Sequence, residues 1–269
     1  MSGNERRSRD RAAASTSWDH VATWYDGWVG DKGSAYHRGR AIPAVLDLLY
    51  PTAGEEILDI GAGQGILAPY IATRGARYIG VDASPRLIAV ARRRHGRSGR
   101  FLLGDARRLR EISGVTAASR DAAVFMLSVQ DMDALEPVLE SAAWALRPIS
   151  RIVMLMTHPS FRQPRHSGWG FDASRKLRYR RVDAYLTPMA VPMGSPTDAG
   201  RTRAFHRPIS SYVNALGAVG FAVDAMLELP DLPPEEKPGR SGRPSRGGSS
   251  RDAEIPLFLA LRAIRVGSI

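Results

Sequence analysis

The residues best suited to chemistry are three acids that each lie at or near the end of an apolar, strand-like run. Asp59 lies in ILDIGAGQG, Asp82 closes RYIGVD and Asp105 closes FLLGD. In a doubly wound sheet, ligands bind outside the carboxyl ends of the strands, beside the point where the strand order reverses. We therefore expect one ligand over this edge, with its ribose hydroxyls bound by Asp82 and an adenine amino group by Asp105.

A glycine turn follows the first of these runs. Gly61, Gly63 and Gly65 lie between a predicted strand and a predicted helix, where backbone can approach a ligand closely and the helix amides face its polar end. The dinucleotide fingerprint G-x-G-x-x-G/A needs a small residue where this chain has Ile66. The match to NAD or FAD binding is therefore imperfect, and the pattern present is D-x-G-x-G-x-G.

A doubly wound α/β sheet would bring these residues together. Apolar runs of strand length alternate with amphipathic helical segments from about residue 40 to 156, which predicts a parallel sheet with helices on both faces. The predicted strands cover 56–60, 77–82, 101–105, 122–128 and 151–156, and the predicted helices cover 41–50, 65–74, 85–94, 133–146 and 208–219. Two further strands, 221–229 and 255–266, predict a closing hairpin.

The remaining segments are expected to surround that sheet. We predict a disordered N-terminus at 1–16 and one domain over 17–269. Within the domain we expect N-terminal lid helices over 17–50, an inserted aromatic-rich substrate cap over 157–207, and a flexible loop over 230–253, whose Pro, Gly, Ser and Arg content cannot build a core.

The net charge of +11 raises the question of a nucleic-acid partner. The basic residues concentrate at 92–100 and 237–251, and neither stretch is interleaved with the aromatic side chains that single-strand binders use. We therefore interpret both stretches as solvated surface and expect no nucleic-acid partner.

Other features of the composition narrow the function classes further. The chain has no cysteine, so thiolate ligands and a cysteine nucleophile are excluded, and its histidines lack metal-ligand spacing, so no metal is expected. No apolar run is long enough to span a membrane, and the first residues lack the apolar core of a secretory signal. We expect a cytoplasmic protein without a membrane partner.

Taken together, these motifs resemble those of class I S-adenosylmethionine-dependent methyltransferases. The likeness covers about residues 40–156 through ILDIGAGQG, VDAS, GDARRL and AVFMLSVQDM, and it extends to the closing hairpin. It implies a Rossmann-like, seven-stranded, mostly parallel sheet whose last strand is antiparallel, with S-adenosylmethionine as cofactor. The cofactor-binding residues that it implies are Asp59, Gly61, Ala62, Gly63, Asp82, Ala83, Asp105, Ala106 and Ser128.

The resemblance also assigns places to these residues. Gly61 and Gly63 would lie against the methionine moiety, Asp82 on the ribose, Asp105 with Ala106 at the adenine, and Ser128 near the sulfonium. The chain departs from the family in ALRPIS, where such enzymes commonly carry a glycine pair after the proline. That departure concerns the geometry of one turn and leaves the cofactor residues in place.

Methyl transfer from a sulfonium needs donor and acceptor aligned and, for some acceptors, a base. We predict His158 as that base, because it lies two residues beyond the fifth strand; a structural histidine in a Thr-His-Pro turn is the alternative. Tyr25 would orient the histidine or the acceptor. Lid and cap aromatics would bind the acceptor, or alternatively pack the lid on the sheet: Trp24, Trp28, Phe161, Trp169, Phe171, Tyr179 and Tyr185.

A narrower resemblance concerns the acceptor. The Trp-Tyr-Asp, His-Pro-Ser-Phe and Arg-His-Ser-Gly-Trp-Gly stretches resemble bacterial small-molecule methyltransferases of secondary metabolism, and among them indole C3-methyltransferases acting on tryptophan-containing cyclic dipeptides. That likeness implies that the base removes a proton as the alkylated indole closes to a pyrroloindoline.

Several alternatives stay open at this stage. They are O- or N-methylation of another small aromatic or amine, methylation of RNA or DNA, and a non-catalytic binding protein on the same scaffold. Against the nucleic-acid alternative, residues 128–131 read Ser-Val-Gln-Asp, where amino-methylating nucleic-acid enzymes carry Asp/Asn-Pro-Pro-aromatic. The sequence also leaves open whether the lid closes over its own site or over that of a second copy in a homodimer.

Overall fold

A computed structural model describes residues 18–194, 201–233 and 254–266. Within these ranges the strands are β1 Glu56–Ile60, β2 Arg77–Asp82, β3 Arg100–Leu103, β4 Arg120–Met126, β5 Leu146–Thr157, β6 Ser167–Asp172, β7 Leu177–Val182, β8 Met189–Gly194, β9 Arg201–His206, β10 Phe221–Leu229 and β11 Phe258–Arg265. The main sheet has the order β10-β11-β5-β4-β1-β2-β3. Strand β11 pairs antiparallel with both β5 and β10, and the other pairs are parallel. The predicted doubly wound sheet and its closing hairpin are confirmed.

Helices cover both faces of this sheet. They are α1 Ala22–Val29, α2 Ile42–Leu49, α3 Ala68–Ala72, α4 Pro85–His95, α5 Leu135–Ala145 and α6 Ile209–Ala218. Alternate strand residues point to opposite faces, so Leu58 and Ile60 pack with α5 and α6, whereas Ile57 packs with α2, α3 and α4. Two apolar cores therefore hold the strands rigid on either side of the edge that carries the acids.

Where the elements end differs from the sequence prediction at points that matter for the site. The helix predicted from residue 65 begins only at Ala68, because Gly65 has φ +80° and still belongs to the turn. Strand β3 ends at Leu103 and β4 at Met126, before the predicted ends. Asp105 and Ser128 consequently lie in turns after their strands, where the alternation of strand side chains between the two faces of the sheet does not set their direction.

The segments before β1 and after β5 cover the carboxyl edge of the sheet. A 3₁₀ turn, Trp18–Val21, leads into α1, and a π-helical segment, His37–Ala41, leads into α2. The cap consists of two antiparallel strand pairs. Strand β6 pairs with β7 and β8 pairs with β9, and each pair forms a two-stranded sheet separate from the main sheet. Of the other predicted segments, residues 1–16 and most of the loop at 230–253 lie outside the described ranges.

Candidate active site

A large cavity lies over the carboxyl ends of β1, β2, β3, β4 and β5. Its volume is about 1120 Å³, and the lid and part of the cap form its outer wall. A site for one small ligand typically has about 300–1,000 Å³. The cavity therefore has room for two molecules side by side, one of them over the predicted cofactor residues.

The glycine turn forms the floor of this cavity. The amides of Gly61 and Ala62 both donate to the carbonyl of Val81, at 2.8 and 3.0 Å, which ties the turn to β2. Gly61 has φ +77°, and a Cβ there would lie 2.5 Å from the Cβ of Ser128. Gly63 has φ +57°, and a Cβ there would meet nothing nearer than Tyr25, at 3.8 Å. Gly61 is thus required by packing, whereas Gly63 leaves open space for a ligand.

Asp82 organises the turn and faces the cavity. Its Oδ2 accepts a hydrogen bond of 2.8 Å from the amide of Gly63, and its Oδ1 accepts one of 2.9 Å from the amide of Ser84. Burial raises the pKa of Asp82, and these amides partly oppose that rise. Each carboxylate oxygen has a second lone pair, so Asp82 can still accept from two ribose hydroxyls. The residues around this acid fit an adenosyl cofactor.

Asp59 lies beneath the turn and does not itself line the cavity. It is 2% exposed, and the hydroxyl of Tyr78 donates to its Oδ2 at 2.6 Å. Its Oδ1 has no hydrogen-bond partner. Burial raises the pKa of Asp59 to about 7, an effect that the Tyr78 hydrogen bond partly opposes. The geometry places this acid as a support for the turn, while its predicted cofactor contact stays a prediction.

Asp105 and Ser128, predicted to lie at the adenine and the sulfonium, also line the cavity, together with Ala62, Ala83 and Ala106. Asp105 pairs with Arg107, whose guanidinium approaches to 2.6 Å, and this hydrogen bonding holds the pKa of Asp105 below its usual value despite burial. The hydroxyl of Ser128 donates to the carbonyl of Ile60 at 2.6 Å. Asp105 therefore stays an anionic acceptor, and Ser128 keeps its lone pairs for a ligand.

Aromatic side chains of the lid form the opposite wall. Trp18 packs edge-on against Tyr25 at 5.1 Å between ring centroids, Tyr25 lies 6.2 Å from Trp28, and Trp24 stacks on Trp28 at 6.4 Å. Burial raises the pKa of Tyr25, and the charge of Asp131 raises it further, so its hydroxyl stays protonated. All four rings line the cavity. The sequence prediction placed Tyr25, Trp24 and Trp28 here.

His158 lies away from the cavity wall. Its side chain is 1% exposed, its Nε2 bonds to Glu228 at 2.9 Å, and its Nδ1 accepts from the amide of Ser160 at 3.2 Å. Its ring also packs on Phe161 at 4.8 Å. Burial lowers the pKa of His158, which keeps the imidazole neutral. With both nitrogens occupied, His158 has the geometry of the structural alternative, and its role as the base stays a prediction.

The cap aromatics in the predicted acceptor-binding set also lie off the cavity wall: Phe161, Trp169, Phe171, Tyr179 and Tyr185. Trp169 lies under the guanidinium of Arg178 at 4.3 Å, and the Tyr185 hydroxyl accepts from the amide of Ile209 at 3.0 Å. Phe171 is 66% exposed and Tyr179 is 47% exposed. None of these five rings lies at the cavity wall, and their predicted contact with the acceptor stays a prediction.

The structure brings other polar side chains to the cavity that the sequence analysis did not single out. They include His37, Gln64, Gln130, Asp131 and Gln163. His37 is buried and bonds through Nδ1 to Ser34, and burial lowers its pKa to about 4, so it is neutral at pH 7. Asp131 carried a sequence signal, since it follows the fourth predicted strand by three residues. Gln64 and Gln130 lie within stretches that the sequence analysis quoted, whereas His37 and Gln163 come from segments without a clear period.

No helix in the described ranges is long and apolar enough to cross a bilayer. Across the same part of the chain, no group of three or more His, Asp or Glu side chains is arranged to hold a metal ion.

Comparisons with known proteins agree with this site. Residues 57–149 match the family model described as a methyltransferase domain, a stretch that contains the glycine turn, Asp82, Asp105 and Ser128. Demethylmenaquinone methyltransferase of Tropheryma whipplei (strain Twist) is 33% identical over 121 residues, which cover 43% of this chain and 48% of that protein. This chain thus spans about half the length of that relative.

Two further relatives cover more of the chain. N-demethylindolmycin N-methyltransferase of Streptomyces griseus is 26% identical over 193 residues, which cover 68% of this chain and 76% of that protein. The crystal structure of an S-adenosylmethionine-dependent methyltransferase from Mesorhizobium loti superposes with a TM-score of 0.65 at 25% identity, covering 88% of this chain and all of that one. Residues 57–149 therefore match a methyltransferase domain, and the Mesorhizobium loti structure supports S-adenosylmethionine as the cofactor.

Proposed function

We propose that this protein transfers the methyl group of S-adenosylmethionine to a small-molecule acceptor enclosed between the glycine turn and the aromatic lid. The observation that carries this proposal is the large cavity, which has Asp82 and Gly63 on its floor and Tyr25 and Trp28 on its wall. A cavity of about 1120 Å³ has room for the cofactor and a small acceptor.

When bound, the cofactor supplies an electrophilic methyl group on a positively charged sulfur. The chain's own residues then have three tasks. Asp82 binds the ribose, and Asp105 with Ala106 binds the adenine, which fixes the direction of the methyl group. The lid excludes water from the acceptor and holds it flat against aromatic rings. Tyr25, protonated and beside Gly63, can orient a polar atom of the acceptor.

Our narrower proposal is C3-methylation of the indole in a tryptophan-containing cyclic dipeptide, which gives a pyrroloindoline. The aromatic lid rings Trp18, Trp24 and Trp28 support it, because they offer broad apolar faces to an indole. The alternative is O- or N-methylation of another small aromatic or amine. The Streptomyces griseus relative, named as an N-methyltransferase, supports the N-methylation alternative.

The test uses S-adenosylmethionine carrying an isotopically labelled methyl group, incubated with the protein and a panel of indole, phenol and amine acceptors. We expect a time-dependent labelled product by mass spectrometry, and S-adenosylhomocysteine should raise the melting temperature. Label on another acceptor class but not on tryptophan cyclic dipeptides would refute the narrower proposal alone. Binding of S-adenosylhomocysteine without any labelled product would refute methyl transfer to these acceptors.

A further inference from the structure

One acid on the cavity wall has no partner in the part of the chain that the structure describes. Asp131 ends the short turn Val129–Asp131 directly after β4, and it lines the cavity. Its side chain takes part in no hydrogen bond or ion pair with the described residues. Buried carboxylates are normally paired, and the exceptions call for an explanation. A ligand group is such an explanation, because the acid faces the space where ligands bind.

The position of Asp131 ties it to the reacting end of the cofactor site. Its amide donates to the carbonyl of Ser128 at 2.9 Å, and Ser128 packs on Gly61 of the glycine turn. Burial raises the pKa of Tyr25, the charge of Asp131 raises it further, and both residues line the cavity. Asp131 therefore lies between the lid and the place expected for the sulfonium.

The other charged and titratable groups around this turn leave the acid uncompensated. Arg207 contacts the same turn, but it donates to the carbonyl of Met132 at 2.8 Å. Tyr25 of the lid and Tyr212 of α6 are both neutral, because burial raises the pKa of each. Burial alone raises the pKa of Asp131 well above its usual value, with no cation opposing that rise. A carboxylate whose pKa is raised in this way binds a proton more tightly than an ordinary aspartate, so its ionised form is a stronger base.

Gln163 is a further unpartnered polar side chain on the cavity wall. Gln163 is 2% exposed and lines the cavity, and neither its Nε2 nor its Oε1 has a hydrogen-bond partner. An amide offers both a donor and an acceptor, which suits an amide or another mixed polar group on a ligand. The wall thus includes an unpartnered acid and an unpartnered amide among its aromatic rings.

We infer that Asp131 binds a proton-bearing nitrogen of the acceptor and takes its proton during methyl transfer, while the amide of Gln163 binds a polar group of the same molecule. The inference rests on the proposed function and narrows the acceptor to small molecules with an N–H group beside an aromatic ring. Transfer forms a bond from the methyl carbon to the acceptor and breaks the bond from that carbon to sulfur, which keeps the electron pair. The N–H proton passes to the Asp131 carboxylate, and its electron pair stays on the acceptor.

The test compares Asp131→Asn, which keeps the shape and removes the charge, with Glu136→Gln, which neutralises an exposed acid on α5. Asp131→Asn should lower the labelling rate by about 100-fold or more, the scale of one general base. Its affinity for S-adenosylhomocysteine by calorimetry should stay within about twofold of wild type. Its melting temperature should stay equal or rise, because an unpaired buried carboxylate is removed. Glu136→Gln should leave all three quantities unchanged.

The probes are tryptamine, the cyclic dipeptide of two tryptophans and catechol. Labelling of a nitrogen-bearing probe that Asp131→Asn abolishes, with cofactor affinity intact, supports the inference. A wild-type labelling rate in Asp131→Asn, or a melting temperature that falls together with the rate, overturns it. Labelling of catechol alone overturns the inference and leaves the proposed function standing. Failure to label any probe and to bind the cofactor overturns both.

Discussion

Replacing Asp82 with alanine perturbs the cofactor site at its centre. In the folded protein this carboxylate accepts from the amides of Gly63 and Ser84, and its remaining lone pairs face the cavity. A hydrogen bond to a charged group contributes about 1.5–3 kcal/mol. Loss of one such bond to the ribose therefore weakens cofactor binding by at least about tenfold, and loss of the bond that orders Gly63 adds to the effect.

The stability of Asp82→Ala should change only modestly. Two amides lose their acceptor, but the buried carboxylate, whose pKa is raised by burial, also disappears. These effects oppose each other, so we expect the free energy of unfolding to change by less than about 2 kcal/mol. Circular dichroism and urea denaturation would check that the variant is folded under the binding conditions.

The matched control is Asp121→Ala, at the opposite edge of the sheet. Asp121 also accepts from a backbone amide, that of Glu56 at 2.7 Å, and it pairs with Arg147. Its removal should leave affinity for S-adenosylhomocysteine within about twofold in titration calorimetry. If Asp82→Ala is folded and binds as tightly as this control, the assignment of the cofactor site to this strand edge is refuted.

Three further substitutions test other parts of the site. Gly63→Ala puts a Cβ into the cavity at positive φ, so S-adenosylhomocysteine affinity should fall about tenfold by calorimetry, and unchanged affinity would contradict the open turn. Asp59→Asn should stabilise the protein above neutral pH. Folding raises the pKa of Asp59 to about 7, so ionisation of this acid lowers the free energy of unfolding of wild type by up to about 4 kcal/mol as the pH rises from 4 to 7. Urea denaturation across that range should show the difference in free energy of unfolding between the variant and wild type increase with pH. A constant difference would exclude the shifted pKa. His158→Ala should lower the free energy of unfolding by about 2–4 kcal/mol and leave turnover within about threefold of wild type. A fall of about 100-fold in the turnover of the folded variant would instead support His158 as the predicted base.

The part of the fold that follows from periodicity was predictable from the sequence. The strands Glu56–Ile60 and Arg77–Asp82 end where the apolar runs end, because a buried strand is a continuous apolar run and the residue after it turns. The helix Pro85–His95 begins after Ser84, which caps it, and proline occupies its first position. The hydroxyl of Ser84 accepts a hydrogen bond from the amide of Leu87. The cofactor side of the cavity consists of such strand ends.

The acceptor side was less predictable, because it is built from segments without a period. The sequence places Trp169 and Phe171 in an aromatic-rich cap, but the pairing of β6 with β7 turns Trp169 toward arginines and leaves Phe171 exposed. Composition cannot distinguish a ring on the cavity wall from a ring on the outer face of a hairpin, since that depends on register. His158 illustrates the same limit, because its partner Glu228 is distant in the sequence.

One residue connects the cofactor acid to the lid. The amide of Ser84 donates to Asp82, and its hydroxyl donates to Asp19 of the lid at 2.7 Å. Arg94 of α4 pairs with Asp26 of α1, so the lid is held to the same helix at two points. Because Asp82 orders the glycine turn and Ser84 orders the lid, the floor and the wall of the cavity share one anchor. The aromatic rings of the lid are therefore held in a fixed position relative to the predicted cofactor residues, and we expect changes at Ser84 to alter both halves of the cavity.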